Sequence, residues 1–217
     1  MIKTSEIASI IIAAIVFTFV VVFGKIFRGG LTLNYFLIAF VIALVILLIN
    51  VFAKKLAARY YDASTEEKLL TLQRYGFYER SYFPTPIPVG VILPFILSIL
   101  SAGYFMVFTL LQFDVAPQLS RVKKSVGLYR FSELSDTDIH WIAACGIIAT
   151  LFFAVIAYLI GGSYMLLFAQ LSIYYAFWNI LPLGKLDGGK IFFGGLITWI
   201  VIAIITLIAL GYAVLLI

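Results

Sequence analysis

Asn179-Ile180-Leu181-Pro182-Leu183-Gly184-Lys185-Leu186-Asp187-Gly188-Gly189-Lys190 interrupts an apolar run with a proline and sets a carboxylate at the break. Apolar residues continue on both sides, from Tyr164 to Leu181 and from Leu196 to Ile217. An ionisable side chain at membrane depth is costly and marks a functional site by default. The two glycines after Asp187 permit a turn and a close backbone approach. This stretch therefore predicts a broken helix inside a membrane domain, with Asp187 at the break.

The composition agrees. The 217 residues are 64% hydrophobic and 12% charged, about half the charge that a soluble domain uses to cover its core. A chain of this kind needs an apolar solvent. The net charge of +5 does not point to nucleic acid, because the basic residues lie between apolar runs, as in cytoplasmic loops. The single cysteine, Cys145, lies in an apolar run and implies no disulfide scaffold. It reads as a small residue packed between helices. The first apolar run is longer than a signal-peptide core and has no small-residue cleavage site after it, so it is expected to stay as an anchor.

A spanning helix takes about 20 mainly apolar residues. Five runs qualify on this reading, at 7–23, 34–53, 139–160, 164–181 and 196–217. A sixth run, 87–113, is crowded at its start by Pro84, Pro86, Pro88 and Pro94, and holds Ser98, Ser101 and Gly103. If it crossed the membrane, the basic residues would divide about 7 against 8 between the two faces; if it dipped in and returned, about 13 against 2. The second division fixes an orientation and the first does not. The expected architecture is thus an all-α polytopic membrane protein, one integral domain over 1–217. It has about five transmembrane helices and one re-entrant hairpin, with cytoplasmic loops at 54–86 and 114–138. The N-terminus lies on the cytoplasmic side of the cell membrane and the C-terminus outside.

The pattern N-x-x-P-x-x-x-L-D-G-G, carried by Asn179, Pro182, Leu186, Asp187, Gly188 and Gly189, resembles the motif of the site-2 protease family of intramembrane zinc metalloproteases. The resemblance implies a site-2 protease-like core in which Asp187 is a zinc ligand. In the family the other two ligands are the histidines of an H-E-x-x-H on an earlier helix, and its glutamate is the general base. Histidines four residues apart share a helix face and reach one metal, whose bound water attacks the peptide bond.

Here the flank Lys55-Leu56-Ala57-Ala58-Arg59-Tyr60 is similar to the family's sequence after that motif and sets the register. In that register Asn50 and Lys54 stand at the histidine positions and Val51 at the base position. Only one histidine, His140, exists elsewhere. A second family feature, A-G-P-x-x-N, is reduced to Ala144-Cys145-Gly146. Asp187 is the sole retained ligand and no catalytic set is intact.

An asparagine amide is a poor zinc ligand, a protonated lysine is none, and valine moves no proton. The expectation is that the Lys54 ammonium takes the place of zinc and pairs with Asp187, with Asn50 donating to the same carboxylate. The plainer alternatives are a Lys54 that snorkels to the interface beside Lys55, and an Asp187 that caps the amides of Gly188 and Gly189. His140 and Trp141 read as an interfacial anchor, and Asp136 and Asp138 as caps of the helix that follows. Tyr174, Tyr175, Phe177 and Trp178 read as packing, and Glu66, Glu67, Lys68 and Arg74 as an ordinary solvated surface.

Three functions follow. The first is a non-catalytic pseudoprotease that binds or regulates membrane-protein clients through their transmembrane helices. No cofactor is expected in that case. The second is an active zinc metalloprotease with unusual or borrowed ligands. The third is a transporter or channel built round the broken helix. The partners implied are the lipid bilayer and client helices, and no nucleic acid.

Overall fold

The computed structural model describes residues 3–27, 32–74, 82–118 and 134–216. Helix α1 (Thr4–Phe27) and helix α2 (Leu33–Tyr60) run antiparallel, and α2 starts at a Thr32 cap whose hydroxyl accepts from the Tyr35 amide. A short strand β1 (Ala63–Leu69) follows, then β2 (Leu72–Arg74), β3 (Tyr82–Ile87) and helix α3 (Val89–Leu100). An irregular stretch leads into β4 (Leu111–Pro117). Helix α4 (Asp136–Ile160), α5 (Ser163–Ile180), a short α6 (Asp187–Gly194) and α7 (Leu196–Leu216) complete the order.

Four helices are long and apolar enough to cross a membrane: Thr4–Ile26, Leu33–Tyr60, Asp136–Ile160 and Leu196–Leu215. The fifth expected span, 164–181, is a helix, α5, but its 18 residues include Gln170, Asn179 and several tyrosines, and it is not among the helices apolar enough to cross. The helices also outrun the apolar runs that announced them. Helix α2 continues past Ala53 to Tyr60, because Lys-Lys-Leu-Ala-Ala-Arg consists of good helix formers. Lys54 is thereby inside the helix and not in a loop.

The chain is mostly helical, as expected of an all-α membrane protein, and two small two-stranded sheets lie between the helices. Strands β1 and β4 pair antiparallel, with Glu67 opposite Phe113 and Leu69 opposite Leu111; β2 pairs with β3. The β1 side chains alternate, with Ala63, Thr65 and Glu67 buried. That period of two takes Glu67 out of the solvated surface assigned to it.

The 87–113 segment is a helix only over Val89–Leu100, after which the chain turns and comes back. Both ends meet at one residue. Gly90 donates to the Leu70 carbonyl at 2.9 Å, and Leu70 donates to the Leu110 carbonyl at 3.0 Å. The excursion therefore leaves and returns at the same place. Its tip reaches the far end of α1, where Gly103, at φ +77°, lies so close to Gly24 that a Cβ on Gly24 would come within 2.8 Å of the Gly103 carbonyl oxygen. The returning strand is tied to α5. Trp178 Nε1 donates to Met106 O at 2.6 Å, and Asn179 Nδ2 to Phe108 O at 3.5 Å and to Tyr175 O at 2.8 Å. Phe17 stacks on Phe108 at 4.2 Å between ring centroids. The Met106 and Phe108 carbonyls of the irregular stretch thus find their partners within the protein.

Arg28, Arg80, Arg121, Lys123, Lys124 and Arg130, which enter the charge division, and the side chain of Arg74, lie outside the described residues. Helix α4 is capped by Ser135, whose hydroxyl accepts from Thr137 at 3.2 Å, with Asp136 and Asp138 in the first turn and not at the cap. His140 is not an interfacial anchor. It is 4% exposed and packs under Gly194 and Gly195, where a Cβ on Gly194 would come within 2.6 Å of its own Cβ. Trp141 stays on the surface.

The glycine contact at the tip sets an expectation. Gly24→Val should push the excursion off α1 and cost about 1–3 kcal/mol, the usual range for overpacking. A lower unfolding midpoint in detergent, with helical circular dichroism retained before the transition, is the result that checks it.

Candidate functional site

Three elements converge on Lys54. Helix α2 carries it on the face that also bears Asn50 and Val51, all buried. Strand β1 brings Glu67, and the first residue of α6 is Asp187. The Lys54 Nζ lies 3.0 Å from Glu67 Oε1 and 3.0 Å from Asp187 Oδ2, and donates to Asp187 Oδ1 at 3.2 Å. Lys54 and Glu67 are each 1% exposed and Asp187 is 0% exposed. Lys54 therefore does not snorkel, and the structure brings it to Asp187 as one ion pair with a second carboxylate added.

The local sequence explains why each group points inward. The Cβ positions of Gly188 and Gly189 are closed off by the loop that precedes them: a Cβ on Gly188 would meet Ile180 O at 2.1 Å, and one on Gly189 would meet Gly184 O at 2.6 Å. Only glycine lets α6 start this close to the end of α5, and that start aims Asp187 at α2. The end of α5 is closed from the other side by Trp199 Nε1, which donates to Ile180 O at 2.8 Å. Leu186 stands at the cap position of α6 and is buried, with no side-chain capping bond. Asp187 is therefore not a helix cap. Pro182 is exposed on the connecting turn.

Room for the Lys54 stem comes from α4. A Cβ on Gly146 would lie 2.9 Å from Lys54 Cε and 2.9 Å from Asn50 Nδ2. Cys145 beside it is half-buried. Asn50 does not do what the sequence suggested. It makes no bond to Asp187, and among the described residues neither atom of its buried amide has a hydrogen-bond partner.

A second lysine borders the cluster. Lys190 Nζ donates to the Phe113 carbonyl and sits 3.4 Å from the centre of the Phe113 ring; Lys54 lies 4.7 Å from the same ring. A cation over an aromatic face is attracted by the ring quadrupole. Lys190 is pushed down to about 8, chiefly by burial and further by Lys54, against the upward pull of Asp187, Asp114 and Glu67. Burial holds the Glu67 carboxyl above its ordinary value; Lys54 opposes this and Asp187 adds to it. The Tyr175 hydroxyl is buried nearby with no hydrogen-bond partner among the described residues.

An outer pair braces the inner one. Lys55 Nζ lies 2.7 Å from Glu6 Oε1 and donates to Thr65 O at 3.1 Å, while Glu6 Oε1 accepts from the Glu67 amide at 3.2 Å. Glu6 thus fixes the backbone of the residue whose side chain meets Lys54. Glu66 and Lys68, by contrast, pair near the surface with Lys3 and Asp114.

Sequence reasoning missed Glu67, Phe113 and Glu6. One signal was present. Lys54 and Lys190 flank Asp187 in apolar surroundings, and buried charges demand partners, so a further carboxylate was needed. The run Thr-Glu-Glu-Lys gave no hint of which one.

The donor set does not fit zinc. The ammonium stands at 3.0 Å from both carboxylates, in the space a metal would share with them, and Asn50 offers only an amide. Among the described residues no group of three His, Cys, Asp or Glu side chains could hold a metal ion. What the arrangement does offer is a dry charge cluster that ties three parts of the chain together. No family model, no curated protein and no solved structure matches the chain.

Removing one member of a buried ion pair strands the other. Lys54→Met should destabilise by about 3–5 kcal/mol, and adding Asp187→Asn should recover part of the loss, both read from unfolding in detergent. A pH series tests Lys190. Its folded value lies below the ordinary 10.5, so its contribution is full above 10.5 and is lost as the pH falls through about 8. Wild type should gain stability over a Lys190→Met variant as the pH rises across that window.

Proposed function

We propose that the protein is a site-2 protease-like pseudoprotease of the cell membrane, which binds or regulates client proteins through their transmembrane helices and does not cleave them. The observation that carries this reading is the Lys54 ammonium between Asp187 and Glu67. The resemblance in the Asp187 motif implies a zinc ion there. An ammonium supplies charge to hold the aspartate but no Lewis acidity, and it cannot lower the pKa of a water as a metal does. Val51, buried at the position of the base, has no proton to move.

On this reading α1, α2, α4, α5 and α7 cross the bilayer, and the 87–113 excursion is the re-entrant hairpin. The N-terminus and the Lys54 cluster lie on the cytoplasmic side. Two things support the arrangement. The excursion is hydrogen-bonded at both ends to Leu70, and the basic residues divide about 13 against 2 when it is counted as returning. Helices that hold the fold without a metal leave the membrane-facing surfaces free for recognition alone.

The test is the metal content of the purified, detergent-solubilised protein beside an Asp187→Ala control, with a single-span reporter incubated in liposomes containing zinc. The expected outcome is no stoichiometric zinc in either sample and an intact reporter that is retained by the protein. Zinc held at one per chain and lost in the control, together with cut reporter, would return the chain to the active proteases.

A further inference from the structure

At the opposite end of the helices from Lys54 the structure contains a second kind of site. A cavity of about 550 Å³ opens between the last turn of α1, the first turn of α2, the excursion tip and the first half of α5. That volume is within the range of small-molecule sites, about 300–1,000 Å³. Its lining includes the exposed Lys25 and Ser163 and the half-buried Tyr35, Gln170 and Tyr174. The Lys25 ammonium sits 3.8 Å from the centre of the Tyr35 ring. Gln170 Nε2 donates to the Tyr174 hydroxyl at 3.3 Å, which adds a polar pair to the lining.

The charge at this end is one-sided. Every described carboxylate side chain lies at the Lys54 end, on or beside β1 and β4 or at the first turns of α1, α4 and α6. Among the described residues Lys25 has no carboxylate within ion-pair distance, so the cavity presents an uncompensated cation.

The cavity shares Tyr164 with an apolar groove of about 750 Å³ between α2 and α4. On α2 the groove follows Leu37, Val41, Val45 and Ile49, a stripe of every fourth residue; Phe153 and Ile160 of α4 form the facing wall. At about 1.5 Å per residue the stripe is roughly 18 Å long. One leaflet of a bilayer core is about 15 Å deep. A polar, cationic head cavity thus joins an apolar slot of acyl-chain length.

We propose that these two voids are one binding site for an anionic phospholipid, drawn from the leaflet on the Lys25 side. Its phosphate meets Lys25, and hydroxyls of its head reach Gln170 and Tyr174. One acyl chain lies along Leu37 to Ile49. Lipid tails are as apolar as leucine, so the groove orients the molecule and the head determines which lipid is held. The site needs the helices to lie in a bilayer but does not depend on whether the Lys54 cluster is catalytic.

Native mass spectrometry of the purified protein, with dioleoylphosphatidylglycerol and dioleoylphosphatidylcholine added in competition, reads both features. Wild type should retain a single phosphatidylglycerol per chain in preference to phosphatidylcholine by about fivefold, the worth of one lysine against an anionic lipid. Lys25→Glu should abolish that preference, and Val41→Trp, which fills the slot, should weaken retention of both lipids. The unfolding midpoint of each variant, measured without added lipid, separates loss of binding from loss of fold; Lys25→Glu, at an exposed position, serves as the foldable variant. Equal retention of the two lipids by wild type, or an unchanged preference in Lys25→Glu, overturns the proposal. So does displacement of the lipid by inorganic phosphate alone, which would make the cavity a free-anion site. Zinc content of the same samples reports separately on the pseudoprotease reading.

Discussion

An ammonium group in a dry interior has to be surrounded by negative charge, and much of the chain is arranged to meet that requirement for Lys54. The bare cost of burying an ion is several kcal/mol even after relaxation, and only good geometry offsets it. Glu67 comes from β1 and Asp187 from the start of α6, each to 3.0 Å from the nitrogen. Several features follow from holding them there. Gly188 and Gly189 allow the tight start of α6, Gly146 leaves space for the lysine stem, and Glu6 holds the Glu67 amide. A buried ion cluster is weak evidence for net stability, since apolar residues of similar volume do as well or better. What the cluster does is tie α2, β1 and α6 together at one point.

The residues round Asp187 are also fixed by more than the charge they carry. Asp187, its glycines and Asn179 are held by constraints that have nothing to do with a metal. The glycines are closed in by backbone oxygens of residues 180 and 184. Asn179 secures the returning strand through Phe108 O. Leu186 is buried in the core. Each of these positions has a packing or hydrogen-bonding role of its own.

Much of this architecture was legible in the residues, and the parts that were not have physical reasons. Long apolar runs announce helices because a bilayer tolerates little else, so α1, α2, α4 and α7 were plain from hydropathy. The division of basic residues led to the expectation that the 87–113 segment returns, and in the structure its two ends meet at Leu70. The Lys54–Asp187 pair was legible from a register set by six flanking residues. The sheets were not. Strand β1 reads Ala-Ser-Thr-Glu-Glu-Lys-Leu, which has the composition of a solvated loop, and only pairing with β4 turns every second residue inward. Glu67 was lost for the same reason: which of two adjacent glutamates is buried depends on strand register, and register is a long-range property. Asn50 shows the opposite failure, where correct placement on the α2 face did not bring the expected bond.

The separations along the chain give the cluster an order of assembly. Glu67 is made soon after Lys54, whereas Asp187 follows it by 133 residues. At a synthesis rate of about 5–20 residues per second, the aspartate emerges roughly 7 to 27 s later. Of the two carboxylates that meet Lys54 in the fold, only Glu67 has been made throughout that interval. Glu67 is the guardian of the nascent chain, and Asp187 is the latch that closes when the last helices arrive. The same delay applies to the excursion, whose Met106 carbonyl waits 72 residues for Trp178. A chain interrupted before residue 178 leaves the Met106 carbonyl without its Trp178 partner and Lys54 without Asp187.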